Sequence, residues 1–598
     1  MQTSLRIFLA TTAICRIQAQ SSPQELADRV LQRWTEDSAT AFASQFPFRE
    51  GQEIHSNAAK AKLERIKGLS SVVHADQKTA ALLLSGVPLT GNSGDDTAYG
   101  MGFSGIYEAL ADEGRWSLAR QIPLEETGDI TAQQLKVSLR PGSGVDVEDR
   151  LRVRVKGANG FASRLNHRAN LRLVRAGGSE VRHQFGGGLL WVDLPEGEAE
   201  LTIQFSLEVE RAPQDPNSGC FTENFGHIRN QYFWHPMFGF SNPGDQADFQ
   251  VAVRLPKQYS LTTSLPQVQR IEGAERIVEA RSIQHTFALT LAYDREWQVV
   301  NETAGGVRLE LFVTPAFRPD RAAVVQEFRQ VHSLLAGRFG EPKSGYVAVV
   351  QLRADPGDYW HFNSNQAVFA AGSPGFFSVK DKNPGANLAH EIGHFWTSGS
   401  GPAANFLREG WATYVESLAL EREYGADTAK LFWKQHARNY FDRYDGRMAI
   451  WESGNQTNLN YDKGAWVFRM LEEAVGSKAF QQAMTDYSRR SLAGAADWET
   501  LVDCFQKQNV PDFDASRFLL PWLKEKRAPR LSAQTQERTV TIVQSGPAFV
   551  LPVTLEAATS KGIERHLVWI RESKTEVQFA DVVSAVRIDP DEVLLLSR

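Results

Sequence analysis

Between about residues 131 and 297 the chain alternates apolar and polar positions with a period of two. Leu151-Arg152-Val153-Arg154-Val155, Leu171-Arg172-Leu173-Val174, Leu201-Thr202-Ile203-Gln204-Phe205-Ser206-Leu207 and Phe249-Gln250-Val251-Ala252-Val253 carry the pattern. Gly and Pro clusters break these runs at short intervals, as in antiparallel sheets with one face in water. One insert departs from it: residues 221–240 gather Tyr232, Phe233, Trp234, His235 and Phe238. Such a cluster either lines a substrate cleft or packs as a loop onto a sheet face, and packing is the commoner use.

Upstream, residues 24–43 place Leu26, Val30, Leu31, Trp34 and Ala41 at rough helical spacing. Residues 80–88 and 102–118 read as strands, which predicts a small α+β region with no recognisable chemistry. Downstream of Leu309 the period lengthens. Residues 321–339 predict a helix, 345–352 a strand, and helices follow through to Lys524. Residues 530–598 return to strand patterning, with Thr539-Val540-Thr541-Ile542-Val543 and Leu567-Val568-Trp569-Ile570. The chain therefore divides into an α+β region at 21–130, an antiparallel β domain at 131–300, a mainly helical domain at 301–528 and a small β unit at 529–598.

A chain of 598 residues is too long for one core, which agrees with several domains. Its 42% hydrophobic and 23% charged residues exclude a disordered or fibrous protein. A formal net charge of -6 leaves no electrostatic footprint for nucleic acid or an anionic membrane. Residues 1–20 carry Arg6, an apolar run from Ile7 to Cys15 and a small residue at Ala19. That is the layout of a secretory signal, so the chain is expected to be exported, secreted or periplasmic. No later stretch reaches the roughly twenty apolar residues of a bilayer span. Removal of the signal leaves Cys220 and Cys504, which form no disulfide framework or metal-ligand spacing and read as two buried thiols. Whether those two pair stays open.

The candidate chemistry lies in Leu388-Ala389-His390-Glu391-Ile392-Gly393-His394-Phe395-Trp396. Asn383-Pro384-Gly385 before it supply a helix start, and Gly399 and Gly401 after it a stop. On a helix, positions i and i+4 share a face, so His390 and His394 can aim both imidazoles at one Zn2+ ion. Glu391 lies beside that point, placed to take a proton from an activated water. A histidine third ligand at the spacing H-E-x-x-H-x-x-G-x-x-H is excluded, because Thr397 and Ser400 stand there. The next acidic residue is Glu409, fourteen residues past His394, on a helix expected from about Pro402 to Gly425. A turn at residues 398–401 would fold that helix back and complete a two-His, one-Glu set with an open fourth position, as catalytic zinc sites have. Glu416, seven residues on, shares the face of Glu409. It either orients a ligand imidazole or is a surface carboxylate.

H-E-I-G-H followed by L-R-E-G-W-A-T-Y-V-E resembles the zinc aminopeptidase family typified by aminopeptidase N and leukotriene hydrolase. Asn460-Tyr461-Asp462-Lys463-Gly464-Ala465 is similar to that family's Y-E-K-G segment, and Arg587-Ile588-Asp589-Pro590-Asp591 to the D-P end of its β-sandwich. The resemblance covers about residues 131–598. It implies a multidomain α+β fold with an N-terminal β-sheet domain of saddle or sandwich form. A thermolysin-like, mainly helical catalytic domain and a small C-terminal β-sandwich would follow. It implies one Zn2+ on His390, His394 and Glu409, with Glu391 as acid–base and Tyr461 as donor to the oxyanion. Two departures stand out. The connection from His394 to Glu409 is shorter than the family's. The stretch aligned with the family's amine-binding G-x-M-E-N strand, Ala367 to Phe377, has no carboxylate. Peptide hydrolysis from the amino end is the leading expectation. An endopeptidase, a peptidase for blocked termini or a silent peptide-binding relative are the alternatives. His361, near the expected cleft, is given no role.

Overall fold

The computed structural model describes residues 20–36, 63–64, 69–87, 89–90, 103–157, 160–209, 219–238, 247–283, 286, 289–304, 306–317, 320–342, 345–353, 360–364, 367–371, 377, 386–453, 458–493 and 496–597. The expected signal (residues 1–19) and helix start (residues 383–385) lie outside them.

Helix α1 (Pro23–Glu36) packs Leu26, Ala27 and Val30 on a sheet ordered Leu69–Ala75, Thr79–Val87, Phe103–Asp112, Arg115–Ile122. The expected end of that helix at residue 43 lies outside the described residues. Next comes an eight-stranded sheet. Its order is Ser179–Glu180, Asn170–Ala176, Gly197–Glu208, Gly144–Val155, Gly128–Arg140, Asp248–Pro256, Glu275–Arg281, Gln267–Glu272. The sheet is not wholly antiparallel as expected. Gly128–Arg140 and Asp248–Pro256 run parallel, since the chain leaves the sheet between them and returns from the same end. The aromatic insert is packed rather than cleft-lining: Tyr232, Phe233, Trp234, His235 and Phe238 are all buried. Burial pushes the His235 imidazole down to about 4, so it is neutral in the core.

The alternation places Val145, Val147, Leu151 and Val153 inward, and Asp149 with them. Asp149 is fully buried between Leu135 and Ile203 on the flanking strands, and among the described residues neither carboxyl oxygen has a hydrogen-bond partner. Burial holds its carboxyl well above the usual range. The unfolded chain releases this proton near pH 4 while the folded chain keeps it, so stability falls as pH rises from there towards the folded value. Asp149→Leu is therefore expected to raise the unfolding midpoint of this domain at pH 7, by about 1–3 kcal/mol. The gain should shrink towards pH 4. Calorimetry at both pH values checks this; a loss of stability at both would mean that the carboxylate is satisfied.

The third unit begins with a sheet ordered Gln298–Ala304, Val307–Val313, Tyr346–Leu352, Ala367–Ala371, Trp360–Ser364. The last two strands interrupt the stretch expected to be helical. Both are short, at five residues each, and Ala367–Ala371 is apolar throughout, so too little period marks them. Helices follow: α2 (Arg321–Phe339), α3 (Asn387–Gly393), α4 (Trp411–Tyr424), α5 (Ala426–Arg443), α6 (Ala465–Val475), α7 (Ser477–Ala493), α8 (Trp498–Gln506) and α9 (Ala515–Lys524). Two three-stranded sheets close the chain, Arg530–Gln536, Thr539–Ser545, Lys574–Gln578 and Gly562–Ile570, Leu551–Thr559, Val583–Ile588. Their inner residues Ile542, Val553 and Leu555 join Phe518 and Trp522 of α9 in one hydrophobic cluster with the zinc-motif helices. Cys220 and Cys504 are buried thiols that are not joined in a disulfide. Among the described residues, no helix is long and apolar enough to cross a membrane.

Candidate metal centre

Helix α3 is seven residues long and ends at Gly393, with His394 still in right-handed helical conformation as its cap. The i, i+4 relation of His390 and His394 is thereby kept. A Cβ on Gly393 would stand 3.2 Å from the Val415 side chain and 3.3 Å from the Ala412 backbone, so this glycine lets α3 lie close on α4. Trp411 Nε1 donates to the Gly393 carbonyl at 3.0 Å and ties the two helices.

Glu409 does not sit on an α-helix. Residues Phe406–Gly410 form a π turn directly before α4, and Asn460–Gly464, carrying Tyr461, form a second one before α6. Single π turns inside helices recur at functional sites, because the extra residue swings one side chain out of register. The two turns face each other at their glycines. A Cβ on Gly410 would lie 2.9 Å from the Gly464 carbonyl carbon, and one on Gly464 3.2 Å from Gly410 Cα. Glycine at both positions is what permits this backbone contact, which brings Glu409 and Tyr461 to one place.

The geometry follows. Glu409 Oε2 lies 3.3 Å from His390 Nε2 and 3.5 Å from His394 Nε2. One ligand atom from each of the three residues lies within 4.8 Å of the other two. Bonds of about 2.0–2.1 Å in a tetrahedron space ligand atoms about 3.3 Å apart, so the donor set fits a single zinc-sized ion. Glu416 is no surface carboxylate. It is buried, accepts the Ala386 N–H through Oε1 at 2.8 Å, and places Oε2 3.4 Å from His390 Nδ1. It thus caps α3 from another helix and fixes the ring that α3 presents. No partner reaches His394 Nδ1 among the described residues.

Burial by itself would drive the proton off His390, but the bonds to Glu409 and Glu416 outweigh it and push the imidazole up to about 10. Burial works equally against the Glu409 charge, yet the two imidazoles hold its carboxyl well below the usual range. The Tyr461 ring stacks on His390 with centroids 5.6 Å apart and planes 7° from parallel. Burial, then the charge and hydrogen bond of Glu409 and the charge of Glu391, hold the Tyr461 phenol well above its ordinary value, so it keeps its proton. Glu391 is buried, and its charge reaches both His390 and Tyr461. All six residues singled out from the sequence therefore belong to one neighbourhood. His436, which hydrogen-bonds the carboxylate beside Tyr461, was not legible from spacing.

Residues 373–522, which include every one of these groups, match the model of the peptidase family M1 domain. This stretch is similar to a peptidase family M1 domain. Over 468 residues it is 20% identical to probable aminopeptidase 1 of Sulfurisphaera tokodaii, covering 70% of this chain and 56% of that one. Aminopeptidase M1-B of Oryza sativa subsp. japonica is 20% identical over 348 residues, 53% of this chain and 39% of that one. The chain thus spans about half the length of such M1 relatives. In fold it is similar to Legionella pneumophila aminopeptidase A, solved in complex with aspartic acid. The TM-score is 0.64 at 14% identity, over 79% of this chain and 59% of that one.

Ala367–Ala371, aligned by sequence with the amine-binding strand, is paired on both sides, by Tyr346–Leu352 and Trp360–Ser364. A strand with both edges used cannot pair with an extended substrate. Among the described residues, the outer strand on that side of the sheet is Trp360–Ser364, whose sequence Trp-His-Phe-Asn-Ser also holds no acidic residue.

Proposed function

We propose that the chain is a zinc-dependent metallopeptidase, with an aminopeptidase acting on peptides as the leading reading. The observation that carries it is the convergence of two imidazole nitrogens and one carboxylate oxygen at zinc spacing, flanked by Glu391 and Tyr461. His390, His394 and Glu409 would hold the ion. When bound, zinc polarises the scissile carbonyl and lowers the pKa of water at its open position. Glu391 takes the proton of the attacking water and delivers it to the leaving nitrogen. Tyr461, kept protonated by its burial and its acidic neighbours, donates to the carbonyl oxygen as that oxygen gains charge. Glu416 orients His390 through Nδ1. The names of the M1 relatives support cleavage from the amino end.

A second reading, a peptidase for blocked termini or internal bonds, draws on the absence of an acidic residue along the edge strand, where a desolvated substrate amine would need an opposing charge. Hydrolysis of one peptide in free and N-acetylated form separates the two. Faster cleavage of the free peptide, abolished by a chelator and restored by zinc, is the expected result. Preference for the acetylated peptide would overturn the aminopeptidase reading, and chelator-insensitive cleavage the zinc reading.

A further inference from the structure

The residue after Tyr461 is a buried carboxylate, Asp462. It sits in the π turn Asn460–Gly464, and its backbone N–H is taken by the Asn458 carbonyl at 2.9 Å. Its Oδ1 accepts from His436 Nδ1 at 2.7 Å and from Asn439 Nδ2 at 3.3 Å, while Oδ2 has no hydrogen-bond partner among the described residues. His436 and Asn439 are three residues apart on α5, so they share a face and grip one oxygen together. Phe432, one turn earlier on α5, packs on the His436 ring with centroids 4.3 Å apart and limits its rotation. Helix α5 also packs along α4, the helix that carries Glu416 behind His390. Helix α5 therefore touches both the turn that carries Tyr461 and the helix whose carboxylate orients His390.

We infer that His436 is a positioning residue for Tyr461, acting through the Asp462 carboxylate. A buried carboxylate that loses its short His436 bond keeps one longer amide bond and an unsatisfied oxygen. It then reorients or takes a proton. Either change moves a turn whose neighbour must keep its ring stacked on His390 and its phenol at Glu409. Asn439 alone cannot hold it, since its bond is the longer of the two.

The activity arm of the test rests on the peptidase reading, and the spectroscopic arm does not. With 3-fluorotyrosine placed at position 461, the full chain is expected to give one sharp 19F line. His436→Ala should shift or split that line, and His436→Asn, whose amide stands where Nδ1 stood, should restore it. Asp462→Asn provides the same perturbation from the other partner should His436→Ala not fold. In turnover, His436→Ala is expected to lower kcat roughly 10–100-fold, as losses of supporting partners around metal sites do. KM should stay within about twofold, the mark of an interaction made in the transition state. The loss should vanish in a Tyr461→Phe background, because the two residues act as one unit. An unmoved 19F line in both variants overturns the inference. So does a kcat loss that persists in full without the Tyr461 hydroxyl. Absence of turnover in the wild-type chain would overturn the peptidase reading and leave the 19F result to decide this one.

Discussion

Glu391→Gln protein is expected to keep about one zinc per chain, as a single three-ligand site requires, and to lose turnover by roughly 10²–10⁴-fold. The amide preserves the size of the side chain and its place beside His390, but it cannot take a proton from water. The ligand set is untouched, because Glu391 lies beside the three convergent donors rather than among them. Removing its charge also takes away one of the groups that hold the Tyr461 phenol protonated, a smaller effect since burial and then Glu409 act more strongly there. Zinc analysis together with kcat checks both halves. Loss of metal and turnover together would make Glu391 a structural residue, and unchanged turnover would remove it from the reaction.

Gly410→Ala is the second large effect. Alanine is ordinarily preferred over glycine in right-handed helical backbone by roughly 0.5–1 kcal/mol, and Gly410 has φ -61° and ψ -43°. Local propensity therefore favours the substitution. The added Cβ would nonetheless stand 2.9 Å from the Gly464 carbonyl carbon and 3.2 Å from the Asn460 carbonyl oxygen. Backbone on both sides has no rotamer with which to yield, so the two π turns must separate. A displacement of about 1 Å of a reacting or ligating group costs on the order of 10²-fold in rate. Glu409 and Tyr461 would both be displaced, so the variant is expected to fall at least about that far in kcat/KM and to bind zinc more weakly. Gly337→Ala on α2, where nothing lies within 4 Å, is the control and should be neutral or slightly stabilising. A Gly410→Ala protein with ordinary metal content and turnover would show that the glycine contact does not set the site.

The ligands were legible because their positions depend on one helical turn. His390 and His394 need only the i, i+4 rule, which survives even though α3 ends one residue before His394. Glu409 followed from being the first acidic residue on the returning helix. What could not be read was how that helix is built. A π turn has no signature in apolar spacing, and only the facing glycines Gly410 and Gly464 mark it, once the packing is known. His436 lies 26 residues before Asp462, on a helix whose approach to the Tyr461 turn is tertiary, so no spacing rule reaches it.

The β units show the same division. Period-two runs located Gly144–Val155, Gly197–Glu208 and Asp248–Pro256, while the parallel pairing of Gly128–Arg140 with Asp248–Pro256 depends on a connection that leaves no local trace. Asp149 is the opposite case. It breaks an otherwise apolar inward series, a signal present in the sequence itself.

The central claim is that His390, His394 and Glu409 hold one divalent ion between them. Zinc K-edge X-ray absorption on the purified full chain, with anomalous diffraction at the same edge, tests it most directly. One zinc per chain is expected, with two nitrogen ligands at about 2.0–2.1 Å and a carboxylate oxygen at about 2.0–2.2 Å. Its anomalous peak should lie between the two imidazoles and Glu409. Sulfur in the coordination shell, or a peak elsewhere with those three side chains unligated, would contradict it.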